Sequence, residues 1–220
     1  MKTRVDLREK IYREQLHILE QFLKKISVRS EIEQHTRYLF SFAEALSKLM
    51  NLPAQDVHFF LVSAALHDLG KTLVPERILQ KKSSLTSSEF NMVKLHPVIG
   101  LRTIEAAGLL VPQEVKIAIH HHHETPDGSG YYFIENPTFL SRLLAVCDAY
   151  SAMIFPRSYR RAMSKKEAIR ELISYPNKFD QKIVAVLEES QTVLNKEEAS
   201  YTEFKNKLLN SMGYVVKLIS

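Results

Sequence analysis

Apolar residues recur along most of this chain at the spacing of helices that bury one face, joined by short loops. Ile11, Leu16, Leu19, Leu23 and Ile26 predict an amphipathic helix over 5–26 that packs on a main body. Ser30, with Glu33 three later, reads as a capping box opening the next helix, in which His35, Leu39, Phe42, Leu46 and Leu49 share a face. The helix after Pro53 is apolar almost throughout (Val57, Phe59 to Val62, Ala64 to Leu66), which marks it as the central buried one, and Gly70 is expected to stop it just past His67-Asp68. Thr86 and Glu89 cap a helix expected to carry His96 up to Pro97, and residues 112–123 form another that ends in a histidine run. The stretch 139–155 carries Leu140, Leu143, Leu144, Val146, Cys147, Tyr150 and Met153. Ser164 with Glu167 starts a further helix, and Asp180 caps the one after it. The tail from Lys196 reads as helical to about Leu209, and Gly213 to Ile219 as a short strand or extended tail. There is no internal repeat or low-complexity linker. The expected fold class is all-α, a helical bundle.

Composition narrows the setting. With 45% apolar and 25% charged residues over 220 positions, the chain has the balance of a globular protein with a sizeable core. No apolar run approaches the roughly 18 residues of a membrane span. The start, Met1 to Asp6, alternates charge and lacks the apolar stretch of a secretory signal. One cysteine, Cys147, excludes an internal disulfide and fits a reducing compartment, so the expected location is cytoplasmic, with Cys147 a core residue. A net charge of +5 suits an anionic nucleotide. The basic residues are dispersed and Trp is absent, which argues against duplex nucleic acid as partner.

The chemistry concentrates in imidazoles and carboxylates. His67-Asp68 ends the most apolar helix, where both groups are costly to bury unless paired or metal-bound. Asp148, among Leu143, Leu144 and Val146, has the same need of a cationic partner. Of His120 to His123, neighbours on a helix point about 100° apart, so two can face inward while the others are solvated. Glu31 and His35, four apart, share one helix face, and His96 precedes Pro97. His17 and His58 read as ordinary hydrogen-bonded core histidines. Together the first group offers what a multinuclear divalent-metal site needs: carboxylates that bridge cations, imidazoles that cap them, and a hydroxide held between metals for attack on phosphorus. Donors of nitrogen and oxygen without thiolate disfavour soft ions and leave Fe, Mn, Zn and others open.

The order His35-Thr36, His67-Asp68-Leu69-Gly70-Lys71, Val74-Pro75, Ile78-Leu79, Leu85-Thr86, Glu89, His96-Pro97, Gly100, His122-His123-Glu124, Asp127-Gly128-Ser129-Gly130-Tyr131, Asp148, Ala152-Met153, Arg157 and Tyr159 resembles the HD-GYP domain, a bacterial branch of the HD metal-dependent phosphohydrolases that degrades cyclic di-GMP. The resemblance spans about residues 28–190. It implies a domain there, with an N-terminal helical extension (1–27) and a C-terminal helical tail (191–220). It implies a centre of two or three metals, usually iron or manganese, held by Glu31, His35, His67, Asp68, His96, His122, His123 and Asp148, with Asp68 bridging and Glu31 going with a third ion. Asp68 and Lys71 become the catalytic residues, Lys71 contacting the scissile phosphate. Lys71, Tyr131, Arg157 and Arg160 become the substrate contacts.

The chain departs from the pattern at Tyr132, where the family has proline, in a shortened loop from Phe133 to Pro137, and at Tyr38 and Ser151. These positions bear on substrate preference and rate more than on metal binding. The expected function is hydrolysis of cyclic di-GMP to linear pGpG, with GMP as a further product. Two readings stand beside it: a phosphohydrolase for another nucleotide, and a non-catalytic module that binds nucleotide or a signalling protein through the Gly-Tyr loop. A homodimer through the terminal helices belongs with these expectations.

Overall fold

The computed structural model describes residues 2–155, 161–189 and 200–219, all helix, turn or loop without a strand among them. The helices are α1 (Lys2–Ser27), α2 (Ser30–Leu49), α3 (Ala54–Leu66), a 3-10 turn (Leu69–Leu73), α4 (Glu76–Leu79), α5 (Ser87–Lys94), α6 (His96–Ala106), α7 (Gln113–His121), α8 (Phe139–Ile154), α9 (Lys165–Ser174), α10 (Gln181–Glu189) and α11 (Tyr201–Ile219). The chain is all-α, as the periodicity predicts.

Helix α3 is the axis of the bundle. Every residue from Phe59 to Leu66 is buried, and α3 packs against α2, α7, α8 and α11 at once. A helix apolar on all sides is stable only when wrapped in this way. The two terminal helices share the same core: Leu19, Phe22, Leu23 and Ile26 of α1 and Phe204, Leu208, Met212, Val215 and Val216 of α11 are buried in it. Phe40 and Phe204 meet edge-on at 5.0 Å between ring centroids, tying α11 to α2. Gln15 of α1 reaches the α6–α7 connection, donating to the Gly108 carbonyl at 3.0 Å and accepting from the Leu110 N–H at 2.6 Å.

Several local expectations change. Arg29, not Ser30, is the N-cap of α2, and it makes no side-chain cap; Ser30 is already helical, so the expected capping box does not form. Residues 213–219 continue α11 instead of forming a strand or extended tail. There Val215 and Val216 bury against α1 and α3, and packing outweighs their β propensity. Helix α5 stops at Lys94, so His96 opens α6 rather than ending α5. Pro97 enforces the break, since its ring has no N–H to offer the carbonyl of Val93. Gly70 is not a helix cap either, because α3 ends at Leu66 and Gly70 sits inside the 3-10 turn. Its role is close approach: a Cβ there would lie 2.0 Å from the His96 carbonyl oxygen and 2.7 Å from the Gly100 nitrogen. The bare backbone of Gly70 against α6 is what brings His96 beside Asp68.

The expected caps at Thr86/Glu89 and Ser164/Glu167 are formed as full capping boxes. Asp180 accepts the Lys182 N–H at 3.0 Å at the start of α10. Cys147 is fully buried in α8.

Candidate metal centre

Three helices end at one place, and each delivers a histidine in the same manner. The last carbonyls of a helix have no N–H partner further along. His67, just past α3, turns its Nδ1 to the Ala64 carbonyl at 2.9 Å. His96, just past α5, does so to Val93 at 2.8 Å, and His122, just past α7, to Ile119 at 2.7 Å. A carbonyl only accepts, so Nδ1 carries a proton in all three rings, and each ring, where neutral, presents its lone pair at Nε2. This arrangement fixes the tautomer and orientation of an imidazole that ligates a cation.

The Nε2 atoms converge. His96 Nε2 and His122 Nε2 lie 3.2 Å apart, lone pair facing lone pair. His96 Nε2 is 3.3 Å from Asp68 Oδ1. His67 Nε2 is 3.5 Å from Asp68 Oδ2 and 3.8 Å from Asp148 Oδ1. His35 of α2 meets Asp148 of α8 at 2.9 Å. Seven of the eight residues expected as ligands thus fall into three overlapping groups: His96/His122/His123, His35/His67/Asp68 and His67/His122/Asp148, with the atoms of each within 4.8 Å of one another. Glu31, the eighth, lies outside these groups but lines the same cavity.

Burial governs the electrostatics. Desolvation holds His122 well below its ordinary value and His96 down to about 3, with neighbouring cationic groups adding to it. It lowers His123 to about 4, and His35 as well, although Asp148 opposes the shift. These rings are neutral. His67 is the exception: burial pushes it down, yet Asp68 and Asp148 outweigh that and raise it, which marks negative potential between the two carboxylates. Burial would push Asp68 and Asp148 up, but the imidazoles, with Lys71 at Asp68, hold both well below the carboxylate range.

The donor set suits divalent cations on a direct test. His67 Nε2, Asp68 Oδ1 and His123 Nε2 are buried without a hydrogen-bond partner, and such groups are costly unless something is bound to them. Imidazole nitrogen and carboxylate oxygen are the donors that Fe, Mn and Zn accept.

Around the cluster lies a cavity of about 720 Å³, lined among others by Glu31, Asp68, Lys71, Lys82, Tyr131 and Lys178. Lys71 Nζ sits 2.8 Å from Asp68 Oδ2. Tyr131 lies over His123 at 4.4 Å between centroids. Arg157 and Arg160, also expected at the substrate, fall outside the described residues.

Glu124, quoted with the histidine run but given no role by the sequence, anchors the loop that carries Tyr131. It is almost wholly buried and accepts the N–H groups of Tyr132 at 2.8 Å and Ile134 at 2.9 Å. Gly130 passes so near that a Cβ would lie 2.5 Å from the Glu124 Cα. Tyr132 stacks on His120 at 4.8 Å and donates its hydroxyl to the Lys94 carbonyl at 2.7 Å. No spacing signal could have assigned these hydrogen bonds, since they join residues 8 to 38 positions apart.

A helical bundle with a buried imidazole–carboxylate cluster at its helix ends defines the class, a candidate metalloprotein of the all-α kind. Residues 18–183 match the family model described as HD domain, and the chain belongs to that family. It is 36% identical over 142 residues to the cyclic di-GMP phosphodiesterase PA4108 of Pseudomonas aeruginosa, covering 63% of this chain and 34% of that protein. It is 34% identical over 152 residues to a cyclic di-GMP phosphodiesterase of Thermotoga maritima, covering 67% and 41%. The chain therefore spans little more than a third of the length of these relatives. Among solved structures, Bd1817, a HDG"Y"P protein from Bdellovibrio bacteriovorus, superposes with a TM-score of 0.62 at 17% identity, covering 84% of this chain and 68% of that one, a likeness of fold.

Proposed function

We propose that the chain is a metal-dependent phosphodiesterase that opens cyclic di-GMP to linear pGpG, with residues 28–190 as the catalytic unit and α1 and α11 flanking it. The observation that carries the reading is the set of three imidazoles locked by helix-end carbonyls with their Nε2 atoms turned on Asp68 and on each other.

In this reading His35, His67, Asp68, His96, His122, His123 and Asp148 hold two divalent ions, iron or manganese, and Glu31 serves a third. Bound, such ions supply an activated water and positive charge at the phosphoryl oxygens. The chain's own residues do the rest. Lys71, a compact ammonium at the cavity surface, contacts a non-bridging oxygen of the scissile phosphate and donates a proton toward the leaving oxygen. Tyr131, held over His123, offers an aromatic face to the nucleotide. Phe155 and Phe179, also lining the cavity, exclude water from its apolar side. The curated relatives' names support this substrate for the part of them that the chain matches.

The test is turnover. The purified chain is stripped with chelator, reloaded with Mn or Fe, and incubated with cyclic di-GMP while products are resolved chromatographically. Linear dinucleotide forming only after reloading is the expected result. Intact cyclic di-GMP with metal bound would refute the substrate assignment.

A further inference from the structure

Phe133 has no explanation in the packing of the protein. Phe133 is 75% exposed and its backbone holds φ +60°, a left-handed conformation unfavourable for a non-glycine residue. An aromatic ring in water on a strained backbone loses on both counts. Its neighbour explains more. The Lys94 ammonium lies 5.3 Å from the Phe133 ring centroid and 5.6 Å from that of Tyr131, and Phe90, 45% exposed, meets Tyr131 edge-on at 6.0 Å. The bond from Tyr132 to the Lys94 carbonyl ties the loop to the end of α5, so cation and rings are held as one unit. Tyr131 and Val93, the residue before Lys94, line the cavity, so this unit borders the cavity.

We propose that Lys94, whose ammonium lies over the rings of both Tyr131 and Phe133, selects guanine as a base of the substrate, with Phe133 stacking on that base. This rests on the phosphodiesterase reading above and adds to it the base specificity. A ring stacks on any nucleobase with little preference. An ammonium has three donors and no acceptor, so beside such a ring it is matched by the O6 and N7 acceptors of guanine. Adenine presents an amino donor in place of O6, and donor would face donor. The exposed ring and the cation beside it thus acquire a partner when the base docks.

The experiment compares wild type with Lys94→Met and Phe133→Leu, each metal-loaded and checked for unchanged metal content. Steady-state kinetics are measured on cyclic di-GMP, cyclic GMP-AMP and cyclic di-AMP, and dissociation constants by equilibrium dialysis. Lys94→Met is expected to lower kcat/KM for cyclic di-GMP about tenfold or more through KM, while cyclic di-AMP moves less than about twofold. Phe133→Leu is expected to raise KM about fivefold or more for all three, as loss of a stacking partner does. An unchanged ratio of guanine to adenine substrates in Lys94→Met overturns the proposal, as does a protein partner captured through Phe133 while the dinucleotide constants stay put. Should wild type hydrolyse no cyclic dinucleotide, the phosphodiesterase reading falls and dialysis decides the base site alone. Guanine-selective binding lost in Lys94→Met then sustains it, and no binding overturns it as well.

Discussion

The imidazole–carboxylate cluster and the loop from Glu124 to Asn136 border one cavity, yet they are built on opposite principles. In the cluster each of His67, His96 and His122 is oriented by a carbonyl three residues back in its own chain segment. Those carbonyls lie in the last turn of a helix, so local geometry supplies the second layer of contacts. The loop is held from afar, by the Glu124 carboxylate and by Tyr132 reaching Lys94, and it contains non-glycine residues at positive φ, Phe133 and Asn136. The cluster is buried, its carboxylates held down by the imidazoles and Lys71 and most of its imidazoles held down by desolvation, while the loop leaves an aromatic ring in water. A centre anchored on helix ends can persist while the loop beside it changes, which is where the departures at Tyr132 and Phe133 to Pro137 fall.

The sharpest way to break this contrast is at Asp68. Asp68→Ala is expected to cost roughly a thousandfold in hydrolysis, the scale seen when a group stabilising the reacting charge is removed, and to lower metal content by elemental analysis. Retained turnover would mean that the cluster is not the centre. Gly70→Ala attacks the same region through the backbone, because its Cβ would stand 2.0 Å from the His96 carbonyl. Overpacking of this kind destabilises by about 3 kcal/mol, read as a lowered urea midpoint together with loss of metal.

On the loop side the effect is smaller and of another kind. Glu124→Ala leaves two backbone N–H groups without their acceptor, a loss of about 2 kcal/mol in urea unfolding, and KM is expected to rise while metal content holds. If metal leaves as well, cluster and loop are one cooperative unit. The smallest effect lies at the α5 cap. Lys81 and then the Thr86 N–H hold the exposed Glu89 carboxyl down to about 2 from 4.5. The folded value lies below the unfolded one, so its stabilisation is complete above pH 4.5 and is lost as pH falls toward 2. The difference in urea midpoint between wild type and Glu89→Gln is expected to shrink across that interval.

The amphipathic spacing of α1 and α2, the all-round apolar α3 and the capping boxes at Thr86 and Ser164 were legible because they depend on residues within one or two turns of one another. So was the need of His67, Asp68 and Asp148 for partners, because an imidazole or carboxylate in an apolar helix is costly to bury alone. Local rules misled where packing overrode them, at Val215 and Val216, which join the core as helix, and at Gly70, which reads as a helix stop but serves the approach of α6.

What the sequence determined by itself is the all-α class and the identity of the imidazoles and carboxylates. What only the tertiary structure decided is their convergence: that α3, α5 and α7 end at one point, that Glu124 grips the loop, and that Lys94 reaches over the rings of Tyr131 and Phe133. The reason is physical. Helix formation and burial cost are set by neighbours along the chain, whereas a cation site or a stacking platform is defined by distances between segments, and those exist only once the core around α3 has closed.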